Sequence, residues 1–336
     1  MEKTTNFISD RISLFGRTNT ENGSLLLGWT GSGFAYSFFG TETRIKFGKF
    51  NSERHFYFQI SVDGRKETHC ICTSDQIIVI RGLPLKAHNI KVTKITECMQ
   101  KAEVKEIVIC GETIGFLDPP VLPDLRFEFI GDSLTAGFGN MSEPDANEYR
   151  ASEQDLTYGY SYLTATKFRA DGRYICCSGK GIFNNWDGSK ENRITDFYDK
   201  TYIGEEALHD FSTWQPHVIF INAGTNDITA KTDPKDFKEA YISFVKKVHS
   251  LNPKSYIVCI HNVTTDAFSK TFKEIEKEFK KDPKSFYATI EFVKFVPVTE
   301  DLYGALGHPN SSAHARLARE ILRPIKRIIH KGTYIE

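Results

Sequence analysis

The chain has 336 residues, of which 40% are hydrophobic and 26% are charged, so it can form the cores of two soluble globular domains. Lys and Arg together number 43, as do Asp and Glu, which gives a formal net charge of zero. This balance argues against a general nucleic-acid-binding protein, because such proteins meet phosphates with a basic face. No apolar run approaches the roughly 20 residues of a membrane-spanning helix. We therefore expect neither nucleic acid nor a membrane among its partners.

Residues 1–117 have the pattern of a β domain. Short aromatic-rich or alternating runs recur, and turn residues such as Asp63-Gly64 separate them. The candidate strands are 24–29, 33–39, 43–47, 55–62, 76–80 and 89–95. No amphipathic helix of normal length interrupts them. The spacing predicts an N-terminal β-sandwich domain with a jelly-roll-like topology.

The stiff, proline-rich segment 118–123 precedes a region in which strands alternate with helices. The predicted strands are 125–130, 174–177, 218–222, 256–260 and 292–296. The predicted helices are 158–170, 236–250, 268–281 and a last one that begins near Ser311. This alternation predicts a second domain over residues 118–336, with a central parallel sheet flanked by helices.

The N-terminus and the cysteines bear on the cellular compartment. The first twenty residues are polar and lack the apolar core of a signal peptide, so either the protein is cytoplasmic or a leader has been removed. We favour a secreted or periplasmic protein whose leader has been removed, and a cytoplasmic location stays open. The seven cysteines are an odd number and show no zinc-site spacing, so we expect most of them to be buried thiols.

Four of the predicted strands end in loops that carry polar residues or glycines. In open α/β sheets, ligands bind beyond the carboxyl ends of the strands. The loops are 131–137, which opens with Gly131-Asp132-Ser133-Leu134, then 178–181, 223–227 and 304–310. Together they offer a serine hydroxyl, glycine amides, a carboxamide and an imidazole at one edge of the sheet. Those groups are the components of an acyl-transfer site.

The chemistry of ester cleavage suggests a role for each group. Ser133 is the predicted nucleophile, and a serine hydroxyl needs a base to take its proton. His308 is the predicted general base and acid, because imidazole titrates near neutral pH. The backbone N–H groups of Ser133 and Gly179 and the side-chain amide of Asn226 could stabilise the oxyanion. Gly181 is a rival amide donor.

Other polar or aromatic residues of these loops have structural interpretations. We expect Asp132 and Asp227 to hold their loops by accepting amide hydrogen bonds. His314 lies on the amphipathic face of the last helix, where a packing or capping role is expected instead of the role of base. Trp186 either stacks on a sugar ring or packs beneath its loop. Since no histidine pair or companion acid has metal-ligand spacing, we expect no metal. No Walker loop or G-x-G-x-x-G motif follows a strand, so we expect no cofactor.

The four motifs resemble those of the SGNH (GDSL-type) hydrolase superfamily, whose blocks contribute Ser, Gly, Asn and His in this order. Residues 129–140, 158–162 and 178–182 further resemble carbohydrate esterase family 2, which joins an N-terminal β-sandwich to an SGNH domain. The resemblance implies a metal-free serine carboxylic ester hydrolase, foremost an acetylxylan esterase. Its substrate would be an acetylated oligo- or polysaccharide of plant type, such as xylan or glucomannan.

One position departs from the superfamily's pattern. SGNH enzymes commonly carry Asp three residues before the catalytic histidine, where it orients the imidazole, and here that residue is Ala305. The resemblance allows a Ser–His dyad in which a backbone carbonyl orients the ring, and we predict such a dyad. Asp301, the nearest carboxylate upstream in the sequence, or another acid is the alternative third member.

Two other functions stay open. An SGNH lipase or thioesterase would use the same four residues on longer acyl chains, although a β domain is more typical of a polysaccharide cleft. A non-catalytic carbohydrate-binding protein would explain the missing acid, although the four motif residues are intact. The sequence does not specify the glycan, the hydroxyl position or the oligomeric state.

Overall fold

The computed structural model describes residues 1–49, 55–99, 101–144, 146–261, 263–281 and 289–331. The chain divides into two compact units, Met1–Leu122 and Pro123–Glu336. The division falls a few residues beyond the predicted boundary at 117/118, because the intervening residues are bonded to the first unit. The Ser13 hydroxyl, for example, donates to the Pro120 carbonyl at 2.7 Å.

Ten strands of the described residues build the first unit. They are β1 Glu2–Thr5, β2 Ile12–Phe15, β3 Asn19–Glu21, β4 Ser24–Leu27, β5 Gly33–Phe47, β6 Phe56–Val62, β7 Arg65–Ile71, β8 Ile77–Lys94, β9 Ala102–Cys110 and β10 Gly115–Phe116. They form one curled antiparallel sheet in the order β3-β4-β9-β5-β8-β6-β7, with β1 on β9 and with β2 and β10 on β5. The predicted β domain is confirmed, and all ten strands belong to this one sheet.

The two longest strands, β5 and β8, each combine two of the predicted strands. They pair with each other over most of their length, and the register shifts between Gly40 and Glu42. A β-bulge of this kind lets a long strand bend without ending. The concave side holds an aromatic core that includes the fully buried Phe34, Tyr36 and Phe58.

The second unit is an α/β domain, as predicted. Its strands are β11 Arg126–Gly131, β12 Asp171–Cys176, β13 Val218–Asn222, β14 Tyr256–His261 and β15 Ile290–Lys294. Its helices are α1 Ser133–Ala136, α2 Tyr160–Lys167, α3 Ile194–Phe197, α4 Thr225–Thr229, α5 Pro234–Leu251, α6 Ser269–Phe279 and α7 Ser311–Lys331. None of these helices, nor any other helix in the described residues, is long and apolar enough to cross a membrane.

All five strands of the second unit run parallel, in the order β12-β11-β13-β14-β15. The central strand β13 is buried along its whole length, and the ring of Phe220 stacks on Phe129 of β11 at 4.5 Å. The strand order reverses direction at β11, which makes the carboxyl ends of β11 and β13 the topological switch point. The predicted site loops leave the sheet at this edge.

Candidate active site

Ser133 is the first residue of the short helix α1, directly after β11. The Asp132 carboxylate caps this helix by accepting the Leu134 N–H at 3.0 Å. Only 5% of the Ser133 surface is exposed. A residue at the first turn of a helix has an N–H without an intrahelical acceptor. The structure therefore presents the Ser133 hydroxyl and its own backbone N–H at the amino end of one helix.

His308 follows a tight 3-10 turn, Ala305–Gly307, in the loop after β15. Its Nε2 atom lies 2.9 Å from Ser133 Oγ, and its Nδ1 atom lies 3.2 Å from the Ala305 carbonyl oxygen. Only a protonated nitrogen can donate to a carbonyl, so this network assigns the ring proton to Nδ1. Nε2 is then the atom that can accept the serine proton.

The protonation state of His308 suits a base. Burial lowers the pKa of this imidazole below its usual 6.5, although the backbone of Ala305 and Leu306 opposes the shift by stabilising the charged ring. The ring is consequently neutral at pH 7. A neutral imidazole with a free Nε2 lone pair is the form that can take a proton from a serine.

The structure does not bring Asp301 to His308. Asp301 is exposed, in the 3-10 turn Glu300–Leu302, and the Nδ1 position that an orienting acid would occupy is taken by the Ala305 carbonyl. Among the described residues, no carboxylate is hydrogen-bonded to the His308 ring. The arrangement has the geometry of the predicted dyad.

Asn226 lies in α4, directly after β13, and is buried. Its Nδ2 atom donates to the Lys180 carbonyl at 2.9 Å and faces the Asp132 carboxylate at 3.3 Å. The carboxamide is thereby tied to the loop after β12 and to the residue beside the serine. Nδ2 is the donor in both contacts, so a carboxamide hydrogen can reach an oxyanion only by sharing or exchanging one of them.

Gly179 has a φ of +78°, and a Cβ atom there would lie 2.7 Å from the indole of Trp186. Both the conformation and this close approach require glycine. Within the described residues, the N–H groups of Gly179 and Ser133 have no hydrogen-bond acceptor in the protein. The rival Gly181 differs, because its N–H donates to Asn185 Oδ1 at 3.2 Å. Gly179 is the better placed of the two glycines.

Asp227 holds the loop that carries these groups. Its carboxylate accepts the N–H groups of Ile182, Phe183 and Asn184 at 2.9, 2.8 and 2.9 Å. Burial raises the pKa of this carboxyl, and the donating amides counteract the rise. The expected loop-holding role of Asp227 agrees with these contacts.

Trp186 lies in the same loop, with its backbone N–H donating to the Gly179 carbonyl at 3.0 Å. Its side chain is 61% exposed, so it does not pack beneath the loop. An exposed indole beside the glycine amide can offer a flat apolar face to a ligand. This placement favours the sugar-stacking interpretation over simple packing.

His314 belongs to the core. It is fully buried on α7, its Nδ1 accepts the Tyr160 N–H at 3.2 Å, and its ring lies parallel to the Tyr160 ring. Burial lowers its pKa to about 3. These contacts agree with the expected packing role.

The sequence did not predict that Phe138 contacts His308. Its ring centroid lies 4.6 Å from that of His308, at an interplanar angle of 42°. The residue stands in the Gly137-Phe138-Gly139 run that follows α1, so its position in a site loop was visible. No sequence pattern indicated that the histidine loop, far along the chain, would pack against it.

A serine hydroxyl bonded to a neutral imidazole, beside a buried carboxamide and two free amides, defines a serine hydrolase at the carboxyl edge of a parallel sheet. The chain belongs to the GDSL-like lipase/acylhydrolase family, whose sequence profile matches residues 129–317, and residues 14–120 match the carbohydrate esterase 2 N-terminal domain. The predicted membership of carbohydrate esterase family 2 is thereby confirmed.

Two curated relatives carry informative names. The chain is 27% identical over 309 residues to the cellulase/esterase CelE of Acetivibrio thermocellus, covering 89% of this chain and 37% of that protein. It is 26% identical over 257 residues to an acetylxylan esterase/glucomannan deacetylase of Cellvibrio japonicus, covering 70% of this chain and 68% of that protein. The chain thus spans little more than a third of the length of CelE.

Two solved structures share the fold along nearly the whole chain. A family two carbohydrate esterase from Clostridium thermocellum in complex with cellohexaose has a TM-score of 0.87 at 24% identity, covering 95% of this chain and 99% of that one. The acetyl xylan esterase Est2A from the rumen bacterium Butyrivibrio proteoclasticus has a TM-score of 0.88 at 19% identity, covering 98% and 99%.

Proposed function

We propose that the protein is a carbohydrate O-acetyl esterase that removes acetyl groups from plant-type polysaccharides such as xylan or glucomannan. The observation that carries the proposal is the 2.9 Å contact between Ser133 Oγ and Nε2 of a neutral His308. The family membership and the names of the curated relatives support a carbohydrate ester as the substrate. Since such polymers do not enter cells intact, a secreted or periplasmic location is part of the proposal.

The first half of the reaction forms an acetyl-enzyme. Ser133 Oγ attacks the acetyl carbonyl carbon while His308 Nε2 takes the hydroxyl proton. The carbonyl π electrons move to oxygen, which gives a tetrahedral oxyanion. When the ester bond breaks, the sugar oxygen leaves with the proton that His308 returns. A water molecule then attacks the acetyl-enzyme by the same steps and releases acetate and free Ser133.

The oxyanion would be stabilised by three donors from three loops: the backbone N–H of Ser133, the N–H of Gly179 and the Asn226 carboxamide. Both N–H groups lack a protein acceptor in the described residues, so neither must break a bond to bind the oxyanion. The Asn226 carboxamide would have to share or exchange one of its two hydrogen bonds, of which the bond to Asp132, at 3.3 Å, is the longer. Removing one such donor typically costs about 10²- to 10³-fold in kcat.

The imidazolium that forms during attack is stabilised by the Ala305 carbonyl at Nδ1. A carbonyl dipole stabilises this charge less than a carboxylate would, because it carries no net charge. Its benefit is that it raises the pKa of the resting imidazole less than a carboxylate would. His308 therefore stays neutral, and the dyad needs no carboxylate partner.

The leaving group and the polymer would meet the exposed part of the site. Trp186, with its exposed indole beside Gly179, is the proposed sugar contact. An aromatic face can cover the apolar face of a pyranose ring. We expect Trp186→Ala to raise KM for acetylated xylan while leaving kcat for p-nitrophenyl acetate within about twofold, since that small ester needs no sugar contact.

The test compares p-nitrophenyl acetate with p-nitrophenyl octanoate for the wild type and for Ser133→Ala. Ser212→Ala, at a polar turn of the same domain, is the matched control. Strong cleavage of acetate that Ser133→Ala abolishes and Ser212→Ala preserves supports the proposal. A marked preference for octanoate would contradict the proposal and indicate a lipase or thioesterase. The absence of Ser133-dependent turnover would contradict it too and indicate a non-catalytic binding protein. Acetate release from acetylated xylan and glucomannan then identifies the polymer.

A further inference from the structure

We infer that Phe138 is a positioning residue for His308, and that its ring, supported by Tyr149, keeps the imidazole aimed at Ser133 in the absence of an orienting acid. The inference deepens the proposed function, because it concerns the base of the same reaction. Phe138 touches neither of the reacting atoms in the mechanism above. Its proposed effect is exerted through the His308 ring.

The Phe138 ring lies between two other rings. One neighbour is His308, with centroids 4.6 Å apart and planes at 42°, and the other is Tyr149, with centroids 4.4 Å apart and planes at 22°. Contacts this close on both sides leave the phenyl ring little freedom to move. The imidazole therefore packs against a surface that is itself held in place.

This surface is tied to the helix that carries the nucleophile. The Tyr149 hydroxyl donates to Gln154 Oε1 at 2.6 Å, and Gln154 Nε2 donates to the Ala136 carbonyl at 3.0 Å. Ala136 is the last residue of α1, and Ser133 is the first. Gln154 is buried, and its bond to the Ala136 carbonyl is shielded from water. The position of Phe138 is thus fixed relative to the serine that the base must reach.

The His308 ring needs such a surface because its hydrogen bonds alone restrain it weakly. Its Nδ1 contact is a 3.2 Å bond to a neutral carbonyl, at the long end of the usual range. The torsion about the Cβ–Cγ bond of histidine has a broad energy profile, so the ring can turn unless packing prevents it. In a triad, a charge-assisted bond to a carboxylate would supply this restraint.

The backbone around His308 has its own anchors. The Leu306 N–H donates to the Ala146 carbonyl at 2.9 Å, and the Ser311 N–H donates to the Asn140 carbonyl at 2.8 Å. Gly139 approaches so closely that a Cβ atom there would lie 2.6 Å from Ala305 Cβ. A smaller residue at 138 should therefore free the ring of His308 without releasing its loop.

The ionisable surroundings of His308 make its titration informative. The hydroxyl of Ser133 faces Nε2, His314 approaches from α7 as a neutral ring, and Tyr149 stands behind Phe138. Burial is the largest influence on the pKa of His308, followed by the backbone of Ala305 and Leu306. Removing the phenyl ring would admit water and bring that pKa closer to its usual value.

The experiment combines kinetics on p-nitrophenyl acetate with ¹⁵N NMR titration of the histidine side chains in the full chain. The variants are Phe138→Ala, Phe138→Tyr and Tyr149→Phe, which removes only the hydroxyl that bonds Gln154. Phe168→Leu, at a partly buried ring directly after the C-terminal end of α2, is the control for general loosening of the domain. The His308 signals are assigned by their loss in His308→Gln.

We expect Phe138→Ala to lower kcat about 10- to 100-fold with KM within about twofold, because the misplaced base slows chemistry and not binding. The pKa of His308 should rise and its Nε2-protonated tautomer should become populated. Phe138→Tyr should restore both readouts, and Tyr149→Phe should give a smaller loss. If Phe138→Ala keeps kcat within twofold, or if its tautomer and pKa match the wild type, the inference is wrong. A wild type without esterase activity would instead reject the proposed function, and the NMR readout would still decide the role of Phe138.

Discussion

The two sides of Ser133 are held by different means. On the oxyanion side, the buried Asp227 carboxylate accepts three consecutive backbone N–H groups and fixes the loop beside Asn226. On the base side, His308 is held by one neutral carbonyl and by the ring of Phe138. One side relies on charge-assisted hydrogen bonds, and the other on a dipole and on packing.

The difference follows from what each side does during the reaction. The oxyanion donors must stay fixed while negative charge appears in front of them, and a buried carboxylate behind the loop supplies strong bonds for this. The base must change its protonation state in every cycle. A carboxylate beside His308 would raise its pKa, whereas a carbonyl and a phenyl ring orient it and leave it neutral. The loss of the usual acid at Ala305 therefore does not imply a loss of activity.

The largest expected effect is the removal of the base. His308→Gln keeps a polar side chain of similar size but cannot take a proton at neutral pH. We expect kcat on p-nitrophenyl acetate to fall about 10⁴-fold, which is the upper range for loss of a general base. The control is His55→Gln, at an exposed histidine of the first unit. Retention of a tenth or more of the activity by His308→Gln would show that another group serves as base.

The next effect concerns the oxyanion side. Asp227→Asn preserves shape but places an NH₂ group against backbone N–H donors, so at least one of the three bonds is lost. The loop should shift, and we expect kcat to fall about 10²-fold through misplaced oxyanion donors. The matched control is Asp210→Asn, at an exposed carboxylate that accepts the Ser212 N–H at 2.9 Å. Equal activities of the two variants would contradict a special role for Asp227.

The residues that meet at the active site could be predicted from the sequence. Ser133, Gly179, Asn226 and His308 each follow a predicted strand, so their convergence was accessible from the rule that ligands bind at carboxyl ends. Strand β13 was predicted with its observed bounds, because a run of apolar residues between turn signals leaves little ambiguity.

Other features depend on tertiary contacts that no local pattern encodes. The approach of Phe138 to His308 requires the segment after α1 to fold back on a loop far along the chain. The long strands β5 and β8 were predicted as two strands each. In β5 the predicted break falls at Gly40–Glu42, where the structure has a shift in the register with β8, and a β-bulge and a turn cannot be told apart there from the sequence. The sequence predicted that a backbone carbonyl orients His308 but not which residue supplies it, because every residue has a carbonyl.

The pH dependence of activity tests His308 in the unaltered protein. Burial lowers the pKa of His308, and a base is active in its deprotonated form. Activity should therefore persist to lower pH than for an exposed histidine, and the acid limb of kcat/KM should have its midpoint below 6.5. Measurement of kcat/KM on p-nitrophenyl acetate from pH 4 to 8 provides the profile. A midpoint above 6.5 would indicate a carboxylate partner that the geometry does not contain.

The smallest expected effect is the most discriminating between a dyad and a triad. Asp301 is exposed, and the Ala305 carbonyl occupies the Nδ1 position that an acid would need. For Asp301 to take part, its carboxylate would have to displace the Ala305 carbonyl from Nδ1. We therefore expect Asp301→Ala to change kcat on p-nitrophenyl acetate by less than about twofold, as for other exposed substitutions away from reacting atoms. In Ser-His-Asp enzymes, removal of the acid lowers kcat by about 10⁴-fold, so a dyad and a triad predict results that cannot be confused. A loss of several orders of magnitude in a folded Asp301→Ala variant would place a carboxylate on the base side, and the contrast between the two sides of Ser133 would then be wrong.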